Sequence, residues 1–240
     1  MQRLQGKRVV VVGGSSGMGE ATAKLLAAEG ASVIIASRSR EKLRRAAESI
    51  GHSVETHELD MADETQVQSF FEGTGPIDHL VITASDAVMG KFLDVSVTQA
   101  RRFFDSKFWG QYMAARAAAP KMRSGGSITF FAGAASRRAT PGLSCGSAIN
   151  AAMEALSNTL AVELAPIRVN TISPGLILTP IWDALMDPQT KQAALSESAK
   201  KLPLKRIGAS EEIAHAVLFL LENTYMTGSV LFVDGGYLRS

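Results

Sequence analysis

Short runs of β-branched and other apolar residues alternate along the chain with longer segments in which apolar positions recur at helical spacing. Strands are predicted at 8–12, 32–36, 54–58, 79–83, 127–131, 168–172 and 229–233. Helices are predicted at 18–29, 41–50, 64–72, about 97–122, about 147–164 and from 210 onward. Alternation of this kind is typical of βαβ units, which build parallel sheets. The pattern therefore predicts a doubly wound α/β fold, with a seven-stranded parallel sheet flanked by helices on both faces.

The chain shows no internal boundary. No repeat, low-complexity tract or linker interrupts residues 1–240, so we expect a single domain. The least regular stretch is 179–205, where three prolines surround a polar helical segment at 189–201. Such a stretch is typical of a mobile lid beside a binding cleft, and equally of a surface insertion. We expect a substrate-side lid at about 179–205, with the insertion as the alternative.

Composition and charge exclude several classes of partner. The 240 residues are 46% hydrophobic and 20% charged, as in ordinary globular proteins. The net charge is only +2, and no block of like charge points to a nucleic acid or to a membrane surface. The single cysteine, Cys145, and four scattered histidines indicate neither a disulfide nor a metal site. Because no apolar run resembles a signal peptide or a membrane span, we expect a cytoplasmic protein.

The turn between the first predicted strand and the first predicted helix is rich in glycine. It reads Gly13-Gly14-Ser15-Ser16-Gly17-Met18-Gly19. Missing Cβ atoms let backbone N–H groups approach an anion, and a helix N-terminus adds a favourable partial charge for a pyrophosphate. Glycine clusters also occur in purely structural turns, but the position between an apolar strand and a helix favours nucleotide binding. The predicted contacts are Gly13, Ser15, Ser16, Gly17, Met18 and Gly19.

The end of the second predicted strand bears on the choice of nucleotide. A carboxylate about 20 residues after the glycines would bind a ribose 2′-hydroxyl. This chain instead offers the hydroxyl of Ser37 and the guanidinium of Arg38, which suit a 2′-phosphate. We therefore expect NADP(H) in preference to NAD(H), with Arg38 and Arg40 on a solvated turn as the alternative. Asp60, after the third strand, is expected either to contact the adenine or to cap the next helix.

Together these motifs resemble the short-chain dehydrogenase/reductase family, and the similarity runs nearly end to end. It covers the segments 12–13, 17–19, 59–60, 126–128, 151–156, 167–170, 174–175, 179, 227–228 and 233–236. The resemblance implies a single-domain Rossmann-like fold that binds a nicotinamide cofactor. It also implies a homodimer or homotetramer assembled through the helices at 97–122 and 148–164. Further cofactor contacts implied by the resemblance are Ala84, Pro174, Gly175, Ile177 and Thr179.

The family's catalytic residues are an Asn, a Ser, and a Tyr four residues before a Lys. The resemblance places these positions at Lys107, Gly133, Gly146 and Asn150, so none carries the usual residue. Carbonyl reduction leaves an alkoxide that has to receive a proton, which neither glycine nor asparagine supplies. Loss of a positioned acid–base group typically costs about 10² to 10⁴ in rate. Conventional family catalysis is therefore not expected.

Other residues near these positions are candidates to replace the missing groups. In the family, the position of Lys107 faces the same cleft, so its ammonium could enter the space of the missing lysine, where burial would lower its pKa. The alternative is a lysine whose ammonium extends to solvent. We expect Cys145 to line or pack the pocket and not to act as a catalytic thiol. Arg137 and Arg138 are expected to be a solvated pair, with binding of an anionic ligand as the alternative.

Two functions are compatible with these features. The first is an NADP(H)-dependent oxidoreductase that acts on an unidentified carbonyl or alcohol, a small-molecule ligand, through a non-standard site. The second is an NADP(H)-binding sensor, scaffold or partner subunit with impaired catalysis. Fold-level resemblance favours the first, whereas the changed catalytic positions favour the second.

Overall fold

A parallel sheet of seven strands forms the centre of the computed structural model, which describes residues 2–51 and 54–240. The strands are β1 (Arg8–Val12), β2 (Ser32–Ser37), β3 (Val54–Glu58), β4 (Ile77–Ile82), β5 (Met122–Phe131), β6 (Arg168–Pro174) and β7 (Val230–Val233). Their order across the sheet is β3-β2-β1-β4-β5-β6-β7. The order reverses between β1 and β4, and folds of this type bind ligands at that point, beyond the carboxyl ends of the strands.

Helices cover both faces of the sheet. They are α1 (Gly17–Ala28), α2 (Arg40–Ile50), α3 (Glu64–Gly73), α4 (Val97–Phe104), α5 (Gly110–Ala118), α6 (Ser144–Glu163), α7 (Ile181–Leu185), α8 (Pro188–Lys201) and α9 (Ser210–Glu222). On one face Leu26 of α1 and Leu220 of α9 pack into a core with Ile35. On the other face Phe71 of α3 and Met153 of α6 pack in a second core. The predicted single-domain, doubly wound α/β fold is confirmed.

The largest departure from the prediction is the helix expected at about 97–122. A π-helical segment, Asp105–Trp109, separates α4 from α5, and α5 ends at Ala118. Pro120 follows in a short 3₁₀ turn, because proline lacks the N–H that would continue the helix. Strand β5 then begins at Met122, five residues before the predicted start. Single π-helical turns are frequent at functional sites, and this one carries Lys107.

The stretch 179–205 contains two helices. The short α7 follows Pro180, and the polar α8 begins after Asp187, whose carboxylate accepts hydrogen bonds from the first-turn amides of α8. No residue of α8 is buried, so it lies on the surface. Trp182 of α7 fixes the stretch to the body of the protein by donating its indole N–H to the carbonyl of Ile177, at 2.7 Å.

Candidate active site

A cleft of about 650 Å³ opens at the carboxyl ends of β1, β2 and β4. Most of the residues predicted to bind the cofactor line it: Gly13, Ser15, Ser16, Gly17, Met18, Gly19, Ser37, Arg38, Asp60, Ala84 and Thr179. Three others do not line it. Pro174 belongs to β6, Gly175 lies against Asp234, and the side chain of Ile177 is buried in the core. The structure thus brings the glycine turn, the end of β2 and the loop after β4 to one place.

The glycine turn forms a cradle that side chains would fill. Gly13 has a φ of +90°, and a Cβ there would lie 2.5 Å from the backbone nitrogen of Ala84. A Cβ on Gly19 would lie 2.1 Å from the carbonyl oxygen of Gly13. In the described residues the N-cap of α1, Ser16, makes no side-chain bond to the helix, which leaves first-turn N–H groups facing the cleft. This arrangement fits a pyrophosphate.

The end of β2 carries polar groups suited to a second anion. The Ser37 hydroxyl oxygen is buried and has no hydrogen-bond partner among the described residues. Beside it, an Arg38 Nη2 atom lies 2.6 Å from an Asp86 carboxylate oxygen, and both residues line the cleft. Lys42, in the first turn of α2, lines it as well. Sequence reasoning missed Lys42; the usable signal is its place in the first turn of the helix that begins two residues after Arg38.

The structure distinguishes the alternatives for two charged residues near the ends of β2 and β3, Arg40 and Asp60. Arg40 fits the solvated alternative, since its side chain is 90% exposed and pairs with Glu58. The helix-cap alternative for Asp60 is wrong. Because α3 begins only at Glu64, its cap is Asp63, which accepts a hydrogen bond from the Gln66 amide at 3.1 Å. Asp60 lines the cleft, and its contact with an adenine stays a prediction.

Three of the four positions to which the resemblance assigned catalytic residues contact one another: Lys107, Gly133 and Asn150. The Lys107 ammonium donates to the side-chain oxygen of Asn150 at 2.7 Å and to the carbonyl of Ala132 at 3.2 Å. A Cβ on Gly133 would lie 2.8 Å from the Asn150 side-chain nitrogen, so the glycine makes room for the asparagine. The solvent-reaching alternative for Lys107 is wrong, because these two oxygens hold its ammonium inside the fold.

The environment of Lys107 changes its acid–base chemistry. Burial lowers the pKa of Lys107 from its ordinary value of 10.5 to about 8. Over residues 2–51 and 54–240 no carboxylate forms an ion pair with it. An ammonium has three N–H donors, and the two oxygens use two of them. Lys107 does not itself line the cleft, but Phe103 and Ser106 of the same helical stretch do.

The fourth position, Gly146, lies one helical turn before Asn150 on the buried side of α6. A Cβ there would contact Phe103 at an ordinary 3.8 Å. No tyrosine of the described part of the chain lines the cleft. Tyr237 is buried with its hydroxyl bonded to Thr140. Tyr112 stacks on Phe108 and meets Trp109 edge to face, both in the π-helical segment. The position of the family's tyrosine is thus filled by no hydroxyl.

The remaining candidates have structural roles. Cys145, in the first turn of α6, is partly buried and packs against the core, as expected. The expectation of a solvated Arg137–Arg138 pair is corrected in part: the Arg137 side chain is 59% exposed, as expected, but each guanidinium has a specific partner. Arg137 pairs at 2.7 Å with the buried carboxylate of Glu154, and Arg138 stacks on the ring of Tyr237 at 4.5 Å. These contacts fasten the loop before α6.

The described residues contain neither a membrane-spanning helix nor a cluster of metal ligands. None of the helices there is both long and apolar enough to cross a membrane. No group of three or more His, Cys, Asp or Glu side chains is placed to hold a metal ion in that part of the chain.

Comparisons with known proteins agree with this architecture. Residues 12–238 match the family described as enoyl-(acyl carrier protein) reductase. The chain is 34% identical to the 3-oxoacyl-[acyl-carrier-protein] reductase of Mus musculus, over 96% of this chain and 97% of that protein. A small-chain dehydrogenase solved in complex with NADPH is 42% identical, with a TM-score of 0.87 and coverage of 98% and 99%. L-Sorbose reductase from Gluconobacter frateurii, solved with NADPH and L-sorbose, is 31% identical, with a TM-score of 0.93 and full coverage of both chains (100% each).

Proposed function

The chain belongs to the short-chain dehydrogenase/reductase family, and we propose that it is an NADP(H)-dependent oxidoreductase with Lys107 as its proton donor. Its substrate would be a carbonyl compound in one direction and the corresponding alcohol in the other. The nicotinamide cofactor, when bound, supplies or accepts the hydride. The observation that carries the proposal is the ammonium of Lys107, held inside the fold by Asn150 and Ala132 beside the wall of the cleft.

Nucleotide binding is supported by the cradle at the start of α1. Gly13 and Gly19 lack side chains where a Cβ would collide with backbone, and the first residues of α1 beyond Ser16 line the cleft. Contacts from Pro174, Gly175 and Ile177 belong to this proposal only through the family resemblance, because they do not line the cleft.

A preference for NADP(H) is supported by the groups at the end of β2. Ser37 offers a hydroxyl without a partner among the described residues, and Arg38 and Lys42 offer two cations. A guanidinium and a hydroxyl suit the dianionic 2′-phosphate that distinguishes NADPH from NADH. Two solved relatives are described as complexes with NADPH.

Lys107 suits proton donation for two physical reasons. A pKa of about 8 keeps the amine protonated at neutral pH and makes it a far stronger acid than an ordinary lysine. Its positive charge, held in a partly buried position, also stabilises negative charge that develops on a substrate oxygen. Asn150 and the Ala132 carbonyl orient the ammonium and use two of its N–H groups. In this proposal the third N–H reaches the substrate past Phe103, which lines the cleft and whose ring centre lies 6.0 Å from the ammonium.

The substrate side of the cleft combines apolar residues with the polar side chains of Gln99, Arg102 and Ser106. Its lining includes Val88, Phe103, Ile181 and Leu185, with Thr179 at the start of the stretch 179–205. The first half of that stretch therefore borders the cleft, which supports its role as a substrate-side lid. We infer a carbonyl substrate that presents apolar surface to α7.

We further propose a homodimer or homotetramer, formed through α4, α5 and α6. Large apolar side chains are exposed on or between these helices: Val97 by 68%, Trp109 by 49% and Val162 by 79%. Burial of such side chains by a second copy would remove apolar surface from water. Light scattering on the purified protein tests this assembly. A cytoplasmic location stays a prediction.

The second candidate is a subunit that binds NADP(H) without turnover. It is favoured by Gly146, because the resemblance assigns the acid–base tyrosine to this position and glycine has no side chain that could donate or accept a proton. In this case the cleft would bind the nucleotide, and Lys107 would only stabilise the packing of Asn150 against Gly133.

One experiment separates the two candidates. The protein is titrated with NADPH and NADH, and nicotinamide absorbance is then followed with a panel of apolar ketones and aldehydes. We expect NADPH binding and substrate-dependent oxidation that Lys107→Met abolishes while NADPH still binds. Lys91→Met, which removes an exposed lysine outside the cleft lining, is the matched control. NADPH binding with no oxidation of any substrate favours the second candidate, and no binding overturns both.

A further inference from the structure

The nucleotide end of the cleft contains an ion pair that joins two of its walls. Arg38 follows β2 and Asp86 lies in the loop after β4, with β1 between these strands in the sheet. Their side chains meet at 2.6 Å, and both line the cleft. The pair therefore crosses the opening where the proposed function places the adenosine part of the cofactor.

The pair is exposed enough to rearrange. The side chain of Arg38 is 59% exposed and that of Asp86 is 31% exposed. Exposed ion pairs contribute little to stability and exchange partners readily. The backbone of Asp86 is positioned separately, because its N–H donates to the Ser106 hydroxyl at 3.3 Å. The carboxylate can thus release Arg38 without a change in the path of the loop.

We propose that Asp86 is a specificity-determining residue, which lowers the preference for NADPH over NADH by competing with the 2′-phosphate for Arg38. This inference rests on the proposed function. A phosphate monoester carries about −1.5 to −2 charges near neutral pH and needs the guanidinium that Asp86 holds. The same phosphate is also repelled by the Asp86 carboxylate, since like charges disfavour each other at short range.

NADH meets neither obstacle. It carries a neutral 2′-hydroxyl in place of the phosphate, so it needs no guanidinium at this position and places no phosphate beside Asp86. The carboxylate therefore weakens the binding of NADPH and leaves that of NADH nearly unchanged. Ser37 and Lys42 face the same part of the cleft and still favour the phosphate, so the predicted preference for NADPH persists but is reduced.

The test uses Asp86→Asn, which keeps the size of the side chain and removes its charge. Glu58→Gln is the matched control, because Glu58 pairs with Arg40 at 3.2 Å at the same edge of the sheet but does not line the cleft. Isothermal titration calorimetry measures the Kd of the wild-type protein and both variants for NADPH and NADH. Adenosine 2′,5′-bisphosphate and 5′-AMP serve as probes of the adenosine end alone.

We expect Asp86→Asn to tighten the binding of NADPH and of the bisphosphate by about fivefold, and to change that of NADH and 5′-AMP by less than about twofold. Glu58→Gln should change none of them by more than about twofold. Equal gains for both nucleotides, or no gain for NADPH, would overturn the role of Asp86. Failure of the wild-type protein to bind NADPH would instead overturn the proposed function, so the two failures are distinct.

Discussion

Replacement of Lys107 by methionine is expected to change how the stability of the protein depends on pH. In the folded protein burial lowers the pKa of Lys107 to about 8, against 10.5 for an ordinary lysine. Between these values the unfolded chain binds more protons at this site than the folded chain does. Raising the pH through this window therefore favours the folded state. Below about pH 8 the amine is charged in both states, and the cost of burying the charge is fully present.

The size of the effect follows from the two pKa values. They differ by about 2.5, and each pH unit of difference corresponds to about 1.4 kcal/mol. The complete effect is thus about 3 kcal/mol of unfolding free energy, gained between about pH 8 and pH 10.5. A practical comparison between about pH 7 and pH 9.5 captures about 2 kcal/mol of it.

Urea unfolding of the wild-type protein and of Lys107→Met at both pH values measures this quantity. The difference between the two proteins cancels the titration of every other group. We expect the unfolding free energy of the wild-type protein, relative to the variant, to increase by about 2 kcal/mol from pH 7 to pH 9.5. Lys91→Met removes an exposed lysine and should show no such trend. A difference that stays constant for Lys107→Met would refute the depressed pKa.

Two further predictions concern the cradle and the catalytic positions. Gly13→Ala places a Cβ 2.5 Å from the Ala84 nitrogen, at a φ of +90°. We expect this variant to bind NADPH more than about tenfold more weakly in a titration. Unchanged binding would show that the turn does not hold the nucleotide. The triple change Gly146→Tyr, Lys107→Asn and Asn150→Lys restores the family's tyrosine and lysine and exchanges the positions of the buried amide and amine. It should raise carbonyl reduction at least about tenfold over the same protein with Gly146 retained. No gain from a folded variant would show that the tyrosine and lysine do not suffice while Gly133 stands at the serine position.

The fold was predictable because its signals are local. Strands such as Arg8–Val12 are continuous apolar runs, and the glycine turn follows directly after the first of them. The end of α5 was also encoded locally by Pro120, but the predicted helix was carried past that proline to Met122. The missed start of β5 follows from the same error.

The site was predictable only where one residue type decides the chemistry. At the end of a strand that follows a glycine turn, the hydroxyl of Ser37 and the guanidinium of Arg38 suit a phosphate, and the structure places both residues in the cleft. The contacts of Arg38 with Asp86 and of Arg137 with Glu154 join residues that are distant in sequence, so no local pattern reports them. No sequence pattern predicts the π-helical turn that contains Lys107 either. This turn nevertheless belongs to the helical stretch from which the Lys107 ammonium reaches Asn150.

The pH dependence of carbonyl reduction in a single turnover tests the proton donor most directly. Protonated Lys107 is the active form, so the rate with bound NADPH should be constant below about pH 8 and fall about tenfold for each pH unit above it. In Lys107→Met the reduction should fall by about 10² or more and lose that inflection. A wild-type rate without an inflection near pH 8, or a Lys107→Met rate close to that of the wild-type protein, would contradict Lys107 as the proton donor.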